Sequence, residues 1–367
     1  MRIIVSGGGT GGHIYPGVAI AKKIKEQNNS AEILFIGSEN GLEGKLVPKE
    51  GFNIKLIEVE GLNKKVSMKT FTSIKKVFKG YSQANKIIKD FNPDIVIGTG
   101  GYVCGPVVLA AALKGIPTVI HEQNAIPGMT NKILSKFVKK IAVTFKESSK
   151  FFPSSKVMYT GNPIRDQILK ANRNISRDKL GFDKNKSLIL AVGGSRGAKN
   201  LNNAVLDIVP EINKQNKQLL FITGEGQYNQ IIKEAENRGY KVGENIKILP
   251  YLYEMENALA ACDIIISRAG ATILSEVTAL AIPAILVPSP YVANNHQEIN
   301  ANALENVGAA IKIHEKDLKS GVLSKQLFSL TSSSESLNQM KKASKSIGII
   351  DASDKIYDII LNLIKGK

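Results

Sequence analysis

Short aliphatic runs recur along this chain at intervals that leave room for a helix between most successive runs. In the first half they fall at residues 3–6, 33–36, 54–59, 95–98, 118–121, 141–143 and 157–159, with helical stretches near 17–28, 68–90, 105–114 and 128–137. The second half repeats the plan, with runs at 188–192, 219–222, 246–249, 264–267, 284–287 and 310–313 and helices near 199–215, 227–238, 254–261, 271–281, 296–307 and 323–330. Runs of Ile, Leu and Val without polar alternation belong to strands covered on both faces, and strands alternating with helices build parallel sheets. The pattern predicts an α/β protein of two Rossmann-like, doubly wound parallel-sheet domains. Asn162-Pro163 breaks the pattern midway, because the residue before a proline is pushed out of helical geometry. The break gives an N-terminal domain, 1–162, and a C-terminal domain, 163–349. An amphipathic stretch at 353–364, within a terminal segment 350–367, predicts a last helix able to pack on either domain, the N-terminal one included.

Composition agrees with two domains. The 367 residues exceed one ordinary domain, and 43% hydrophobic residues suffice for two cores. Aromatic residues are only 6% and Trp is absent, so the cores are aliphatic. The two cysteines, Cys104 and Cys262, match neither a metal site nor a disulfide framework, as expected in a reducing compartment. The N-terminus enters a strand at once, without the basic and apolar regions of a signal peptide. The longest apolar stretch, 103–113, contains Gly and Pro and is well short of the roughly 18 residues a spanning helix needs. These features predict a cytoplasmic protein that does not cross a membrane. The net charge of +17 is uneven: residues 1–162 carry 23 Lys/Arg against 11 Asp/Glu, and residues 163–367 carry 26 against 21. Such an excess either equips the first half for an anionic partner (nucleic acid, an anionic membrane or a phosphorylated substrate) or reflects lysine used as generic surface.

The candidate motifs fall where strands hand over to helices, the edge at which such sheets bind ligands. Gly7-Gly8-Gly9-Thr10-Gly11-Gly12-His13 follows the first strand, and Gly193-Gly194-Ser195-Arg196-Gly197 follows the first strand of the second half. Glycine lets a phosphate approach closely there, and the helix N-terminus favours an anion. Gly7 to Gly12 also fits the G-x-G-x-x-G dinucleotide fingerprint. That reading needs an acid at the end of the second strand, and the nearest, Glu39, lies late and off the strand. It also leaves His13 and the second turn unexplained. His13 sits in the first turn of a helix, where a neutral imidazole can take a proton from a substrate hydroxyl or simply cap and pack.

Further motifs lie at other strand ends. Gly98-Thr99-Gly100-Gly101-Tyr102 is a third glycine turn, and His121-Glu122-Gln123-Asn124 places a carboxylate and two amides at a strand tip, a group that often serves only as a structural cap. Gly161-Asn162-Pro163-Ile164-Arg165 sets a guanidinium at the domain boundary, for a phosphate or an acid. The run Ser267 to Glu276 enters a helix with small residues at its start, and Glu276 lies one turn in, placed for two ribose hydroxyls or for the helix dipole. His296-Gln297-Glu298 opens the next helix. No D-x-D and no His/Cys cluster occurs in the sequence, so leaving-group charge falls to backbone N–H groups, helix dipoles and arginine.

Residues 62–89 stand apart, with eight lysines, among them Lys75, Lys76 and Lys79, and no acid. Phe71, Ile74 and Phe78 repeat at helical spacing between them. This is the pattern of an interfacial helix that buries apolar side chains among headgroups while lysines meet anionic lipid; an ordinary core-facing stripe with a solvated lysine face has the same pattern.

Taken together, GGGTGGH, GTGGY, HEQN, GNPIR, GGSRG and SRAGATILSE with the following HQ, in this order and spacing over nearly the whole chain, resemble the MurG family. The resemblance implies the glycosyltransferase B architecture, two domains facing across a cleft. It implies an inverting, metal-independent transferase of peptidoglycan synthesis, peripheral to the cell membrane on its cytoplasmic side. Its donor would be UDP-N-acetylglucosamine. Its acceptor would be the C4 hydroxyl of undecaprenyl-pyrophosphoryl-N-acetylmuramoyl-pentapeptide, with no cofactor, no metal and no nucleic acid. By resemblance Ser195 and neighbouring N–H groups hold the donor pyrophosphate, Leu252 faces the uracil, and Gln297 contacts the sugar. Ala271, Thr272, Ile273, Leu274, Ser275 and Glu276 hold uridine and phosphate, with Glu276 on the ribose. Thr10, Gly11, Gly12, Asn124 and Arg165 complete the donor site. His13 is the favoured general base, with Glu122 and Tyr102 as further acceptor-side candidates. The 62–89 segment, with Lys136, Lys139 and Lys140, would rest on anionic inner-leaflet lipids. Arg196 stands where glutamine is common in the family, and Leu252 where isoleucine is frequent.

Three other readings stand beside this one. A glycosyltransferase for another lipid acceptor, such as diacylglycerol, would carry similar motifs. A nucleotide-sugar epimerase shares the two-domain plan and needs no lipid. A non-enzymatic nucleic-acid-binding protein would explain the charge, but no stacking aromatics or recognised module support it.

Overall fold

The computed structural model describes residues 1–61, 68–194, 197–240, 242–243 and 245–366, with the backbone alone for 68–75. The chain divides into two compact units, Met1–Arg165 with Ile349–Lys367, and Asp166–Gly348. The boundary at Arg165 lies just past the Asn162-Pro163 break.

The first unit runs β1 (Arg2–Gly7), α1 (Gly11–Gln27), β2 (Glu32–Ser38), α2 (Glu43–Lys49), β3 (Asn53–Ile57), α3 (Met68–Phe91), β4 (Ile95–Gly100), α4 (Cys104–Leu113), β5 (Thr118–Glu122), α5 (Met129–Leu134), β6 (Lys140–Val143) and β7 (Val157–Tyr159). Its seven strands order β3-β2-β1-β4-β5-β6-β7, all parallel, with Val5 opposite both Phe35 and Ile97. The strand order reverses direction between β1 and β4, and at such a reversal the loops part and leave a crevice. Ile3, Val5, Ile95 and Ile97 are buried in one layer and Ile4, Val96 and Ile120 in the other, so helices cover both faces.

The second unit runs α6 (Asp166–Lys170), α7 (Arg173–Leu180), β8 (Leu188–Val192), α8 (Lys199–Lys214), β9 (Gln218–Ile222), α9 (Tyr228–Asn237), β10 (Ile246–Leu249), α10 (Met255–Ala261), β11 (Ile264–Ser267), α11 (Ala271–Ala279), β12 (Ala284–Leu286), α12 (His296–Glu305), β13 (Ala310–Lys312), α13 (Val322–Thr331) and α14 (Ser334–Ile347). Its six parallel strands order β10-β9-β8-β11-β12-β13, reversing between β8 and β11. The last helix, α15 (Ala352–Lys365), returns to the first unit. There it buries Ile356, Ile359 and Ile360 with Ile14 and Val18 of α1, and Lys23 pairs with Asp354 at 2.7 Å.

The sequence pattern misses α2, α6, α7 and α14. Each buries too few apolar residues to show a stripe: α2 buries only Glu43 and Val47 and contains Pro48, and α14 buries only Met340 and Ser344. Helix α7 is polar, with its N-terminus capped by the Asn172 side chain. It carries Arg177, which is fully buried. Arg177 donates to the carbonyls of Ala261 (2.9 Å), Asp183 (2.6 Å) and Lys186 (2.5 Å) and to the Asp263 carboxylate (2.7 Å). Breaking such a buried pair costs about 3–5 kcal/mol, so this one side chain ties α7 to the sheet.

Candidate active site

In the first unit, the turns after β1, β4 and β5 meet at the reversal point. The turn after β1 lies against the turn after β4: the Gly8 N–H donates to the Gly100 carbonyl at 3.2 Å. A Cβ on Gly101, whose φ is +84°, would stand 2.4 Å from the Gly8 oxygen, so only glycine permits this approach. Thr99 sends its hydroxyl to the His13 carbonyl at 2.7 Å, and the Cys104 thiol donates to the Ser6 carbonyl at 3.1 Å. Burial pushes that thiol up to about 12, so Cys104 acts as packing rather than as a nucleophile.

His13 lies in the first turn of α1, and its Nδ1 stands 3.0 Å from the Gly8 carbonyl. A carbonyl only accepts, so Nδ1 carries the proton and the ring lone pair is on Nε2. The ring edge packs toward Gly100, where a Cβ would lie 2.8 Å from Cδ2 and 3.2 Å from Nε2. The tautomer is the one a general base requires. Thr10 is exposed beside it, and Gly11 and Gly12 open the helix.

The other first-unit candidates divide in character. Tyr102 is partly exposed, its hydroxyl 3.2 Å from the Ser38 hydroxyl. Glu122 is buried, and its carboxylate accepts from the N–H groups of Asn124 (3.0 Å) and Gly128 (3.1 Å) and from the Asn131 amide (2.8 Å). It therefore shapes the loop that carries Asn124. His121 is fully buried; its Nε2 faces the Gly161 carbonyl at 3.1 Å and Nδ1 accepts from Gln123 at 3.0 Å. Burial pushes His121 down to about 4, the Gly161 contact opposing and His13 adding slightly. It is a neutral strut. Arg165 is buried with its guanidinium over the Tyr15 ring, 4.5 Å from the centroid.

One contributor escapes the sequence reading. Glu43, the first residue of α2, is fully buried and accepts from the Gly9 N–H (2.9 Å), the Ser38 N–H (2.8 Å) and the Ser38 hydroxyl (2.6 Å). Its signal is glycine spacing: a Cβ on Gly8, Gly37 or Gly41 would come within 2.4 Å of its side chain.

In the second unit the corresponding turns follow β8, β10, β11 and β12. Gly193 donates to the Ile222 carbonyl at 2.9 Å and Gly197 to the Gly194 carbonyl at 2.9 Å. Gly194 has φ +81°, with none of the described residues within 4 Å of where a Cβ would stand. Ser195 and Arg196, between them, lie outside the described residues. Helix α11 begins at Ala271, with Thr272, Ile273 and Ser275 partly exposed. Leu274 is buried at 1% exposure, so only its backbone is available on this edge. Glu276 is also buried. The Gln297 side-chain oxygen accepts from the Ser289 N–H at 2.9 Å, which brings the β12 loop to the start of α12. Leu252 is partly exposed after β10. Arg268 is committed to Glu315 at 2.7 Å and to the carbonyls of Val287 and Pro288.

On the first unit's outer face, Phe78 of α3 is 70% exposed. Lys76 pairs with Glu60 and Lys79 with Glu58. The acids come from the exit of β3, outside the acid-free stretch that the sequence shows. The side chains of Phe71, Ile74 and Lys75 lie outside the described residues. Next to this helix, α4 and α5 expose Leu113, Met129 and Ile133, and Phe137 is exposed just past α5. Among the described residues, no helix is long and apolar enough to cross a membrane, and no group of His, Cys, Asp or Glu is placed to hold a metal.

Comparison with known proteins adds the family. Residues 3–143 match the glycosyltransferase family 28 N-terminal domain, and residues 188–358 match its C-terminal domain. A UDP-N-acetylglucosamine--N-acetylmuramyl-(pentapeptide) pyrophosphoryl-undecaprenol N-acetylglucosamine transferase of Acetivibrio thermocellus is 51% identical, over 100% of this chain and 99% of its own. The enzyme of the same name from Caldanaerobacter subterraneus is 50% identical over 98% and 99%. The crystal structure of MurG from Acinetobacter baumannii matches with a TM-score of 0.76 at 29% identity, covering 98% of this chain and 99% of that one. A UDP-GlcNAc 2-epimerase from Neisseria meningitidis shares the fold, with a TM-score of 0.71 at 15% identity over 99% and 100%. With both family 28 domains matched and half of all residues shared along its length, the chain belongs to the MurG family of glycosyltransferases.

Proposed function

We propose that this protein transfers N-acetylglucosamine from UDP-N-acetylglucosamine to the C4 hydroxyl of undecaprenyl-pyrophosphoryl-N-acetylmuramoyl-pentapeptide. The observation that carries this reading is the match along the entire chain to transferases of that name. The product is the lipid-linked disaccharide of peptidoglycan synthesis.

The residues take roles consistent with their surroundings. His13, protonated on Nδ1, receives the acceptor proton at Nε2 as the hydroxyl attacks the anomeric carbon. General base catalysis of this kind is worth about 10²–10⁴-fold. Attack inverts that carbon and expels UDP. Thr10, Gly11, Gly12, Asn124 and Arg165 form the ligand-facing edge of the first unit, with Tyr102 beside it. Glu122 acts by holding Asn124. In the second unit the Gly194–Ser195 turn and the start of α11 meet the UDP phosphates through N–H groups and the helix dipole. Glu276 takes the ribose, Leu252 the uracil and Gln297 the sugar.

The acceptor is anchored in lipid, so the enzyme works at a membrane surface. Phe78, Leu113, Met129, Ile133 and Phe137 supply the apolar contacts, and Lys136, Lys139 and Lys140 meet anionic inner-leaflet headgroups. Lys76 and Lys79 contribute less, because Glu60 and Glu58 already neutralise them.

The test is UDP release from UDP-N-acetylglucosamine with and without a short-chain analogue of the undecaprenyl-linked acceptor. Release that requires the analogue is the expected result. Turnover of the sugar nucleotide alone would indicate an epimerase, and donor binding without turnover would redirect the search to other lipid acceptors.

A further inference from the structure

The Glu43 carboxylate and the His13 imidazole grip opposite ends of a single peptide group. The peptide linking Gly8 to Gly9 presents its N–H to Glu43 Oε2 at 2.9 Å and its carbonyl to His13 Nδ1 at 3.0 Å. An anion accepting from the N–H polarises the amide and makes its carbonyl a stronger acceptor. The stronger acceptor holds the proton on Nδ1 and raises the basicity of Nε2.

We propose that Glu43 is a positioning residue for the reaction, fixing the tautomer and basicity of His13 through the Gly8–Gly9 peptide. The proposal rests on His13 being the base. The carboxylate is built into the turn. It is fully buried, its other oxygen is held by the N–H and hydroxyl of Ser38, and Gly8, Gly37 and Gly41 make room for it. Ser38 in turn reaches the Tyr102 hydroxyl at 3.2 Å, so the same acid also indirectly sets a second side chain of this edge. His121 of β5, which interacts electrostatically with His13, is neutral through burial, and the acid linked to His13 by the Gly8–Gly9 peptide is Glu43. Glu43 thus supplies the negative charge relayed to the ring. An orienting acid that touches its histidine directly is worth about 10⁴-fold in kcat. Through a peptide the effect is smaller, about tenfold or more.

The decisive variant is Glu43→Gln, compared with His13→Ala in the same assay. A carboxamide keeps the shape but removes the charge and must turn its NH2 toward a donor. Expected are a kcat about tenfold or more below the parent, an unchanged KM for UDP-N-acetylglucosamine, and an acid limb of the kcat–pH profile displaced to lower pH. The chain has four histidines, so ring ¹⁵N shifts of labelled protein report the His13 tautomer without turnover. Loss of the Nδ1-protonated signature in Glu43→Gln supports the relay. A parent-like limb and parent-like ring shifts overturn it, even if the melting temperature falls, since a purely structural acid would do only that. Should Glu43→Gln not fold, Glu43→Asp carries the test. Its shorter reach should weaken the Gly9 contact and move limb and shifts the same way by less, and values equal to the parent's would overturn the relay. If His13→Ala turns over normally, the base assignment falls. If His13→Ala is inactive and Glu43→Gln is parent-like, only the relay falls.

Discussion

The two units share one sheet plan, yet their corresponding edges are finished differently. At the β1/β4 edge of the first unit the glycine turns are braced by buried side chains: Glu43, Thr99, Cys104, Gln123 and His121 each bond to loop backbone or to a neighbouring side chain. The product of that bracing is one imidazole in one tautomer. At the β8/β11 edge buried amides also brace the loops, Asn202 donating to the Thr223 carbonyl and Asn300 to the Ala269 carbonyl, and no described residue lies within 4 Å of where a Cβ on Gly194 would stand. The described residues of that turn carry no side chain suited to proton transfer. Topology places both edges, but chemistry comes from what is grafted on them. On the function proposed above, the first edge moves a proton and the second cradles an anion.

The sharpest way to break this division is to exchange its expected kinetic signatures. His13→Ala should lower kcat by about 10²–10⁴-fold and leave the KM for UDP-N-acetylglucosamine within about twofold. Steady-state UDP release checks both numbers. Parent-like turnover would strip the first edge of its proton-transfer role and leave the two edges chemically alike.

Next in size is a difference in acid stability. His121 is buried neutral, pushed by that burial down to about 4 from its ordinary value of 6.5. In the unfolded chain it binds a proton below about pH 6.5, and in the folded chain it does not. Its contribution is therefore complete above pH 6.5 and is lost as pH falls from there toward 4. By pH 5 the loss amounts to about 2 kcal/mol. Limited proteolysis at pH 7 and pH 5 should show the first unit opening before the second on acidification, and His121→Asn should flatten that dependence between pH 6.5 and 5. Equal acid sensitivity of both units would mean that the buried imidazole does not distinguish them.

Gly194→Ala is the mirror of the histidine test. The new methyl meets none of the described residues, but φ of +81° strains an alanine by about 1–2 kcal/mol. The turn should relax away from its anion-binding shape and raise donor KM about tenfold, with kcat changed less. A fall in kcat at constant KM would place chemistry, rather than binding, on the second edge.

How much of this was legible in the sequence follows from what each feature depends on. Among the described residues all thirteen strands correspond to aliphatic runs; inner strands such as β1, β4 and β5 must be apolar because both faces are buried, whereas the edge strands β3 and β7 are partly exposed. The glycine turns were legible because close backbone approach admits little else. Glu43 was not, since its partners are main-chain atoms of another loop and its helix has almost no apolar face. Arg177 was hidden for the same reason: its bonds run to carbonyls that no residue pattern encodes. The acids that pair with Lys76 and Lys79 were hidden by distance along the chain, lying at 58 and 60, before the lysine stretch begins.

Those pairs separate lysines that look alike in the sequence, and the first unit's outer face therefore gives the finest test. A lysine near an anionic surface contributes about 1 kcal/mol, or roughly fivefold in partition. An ion pair already formed cancels most of that attraction, since the acid faces the same headgroups. Neutralising Lys136 or Lys139 to glutamine should each weaken binding to vesicles containing anionic lipid by about fivefold at low salt. Removing a pair whole, as Lys76→Gln with Glu60→Gln or Lys79→Gln with Glu58→Gln, should do so by less than about twofold, because the pair carries no net charge to the surface. Glu60→Gln alone should strengthen binding by about fivefold, because the Lys76 cation is then released to the membrane. Losses as large for the whole pairs as for Lys136 or Lys139 would show that the acids do not reach the headgroups, and that the raw count of lysines, rather than their pairing, governs how the first unit meets lipid.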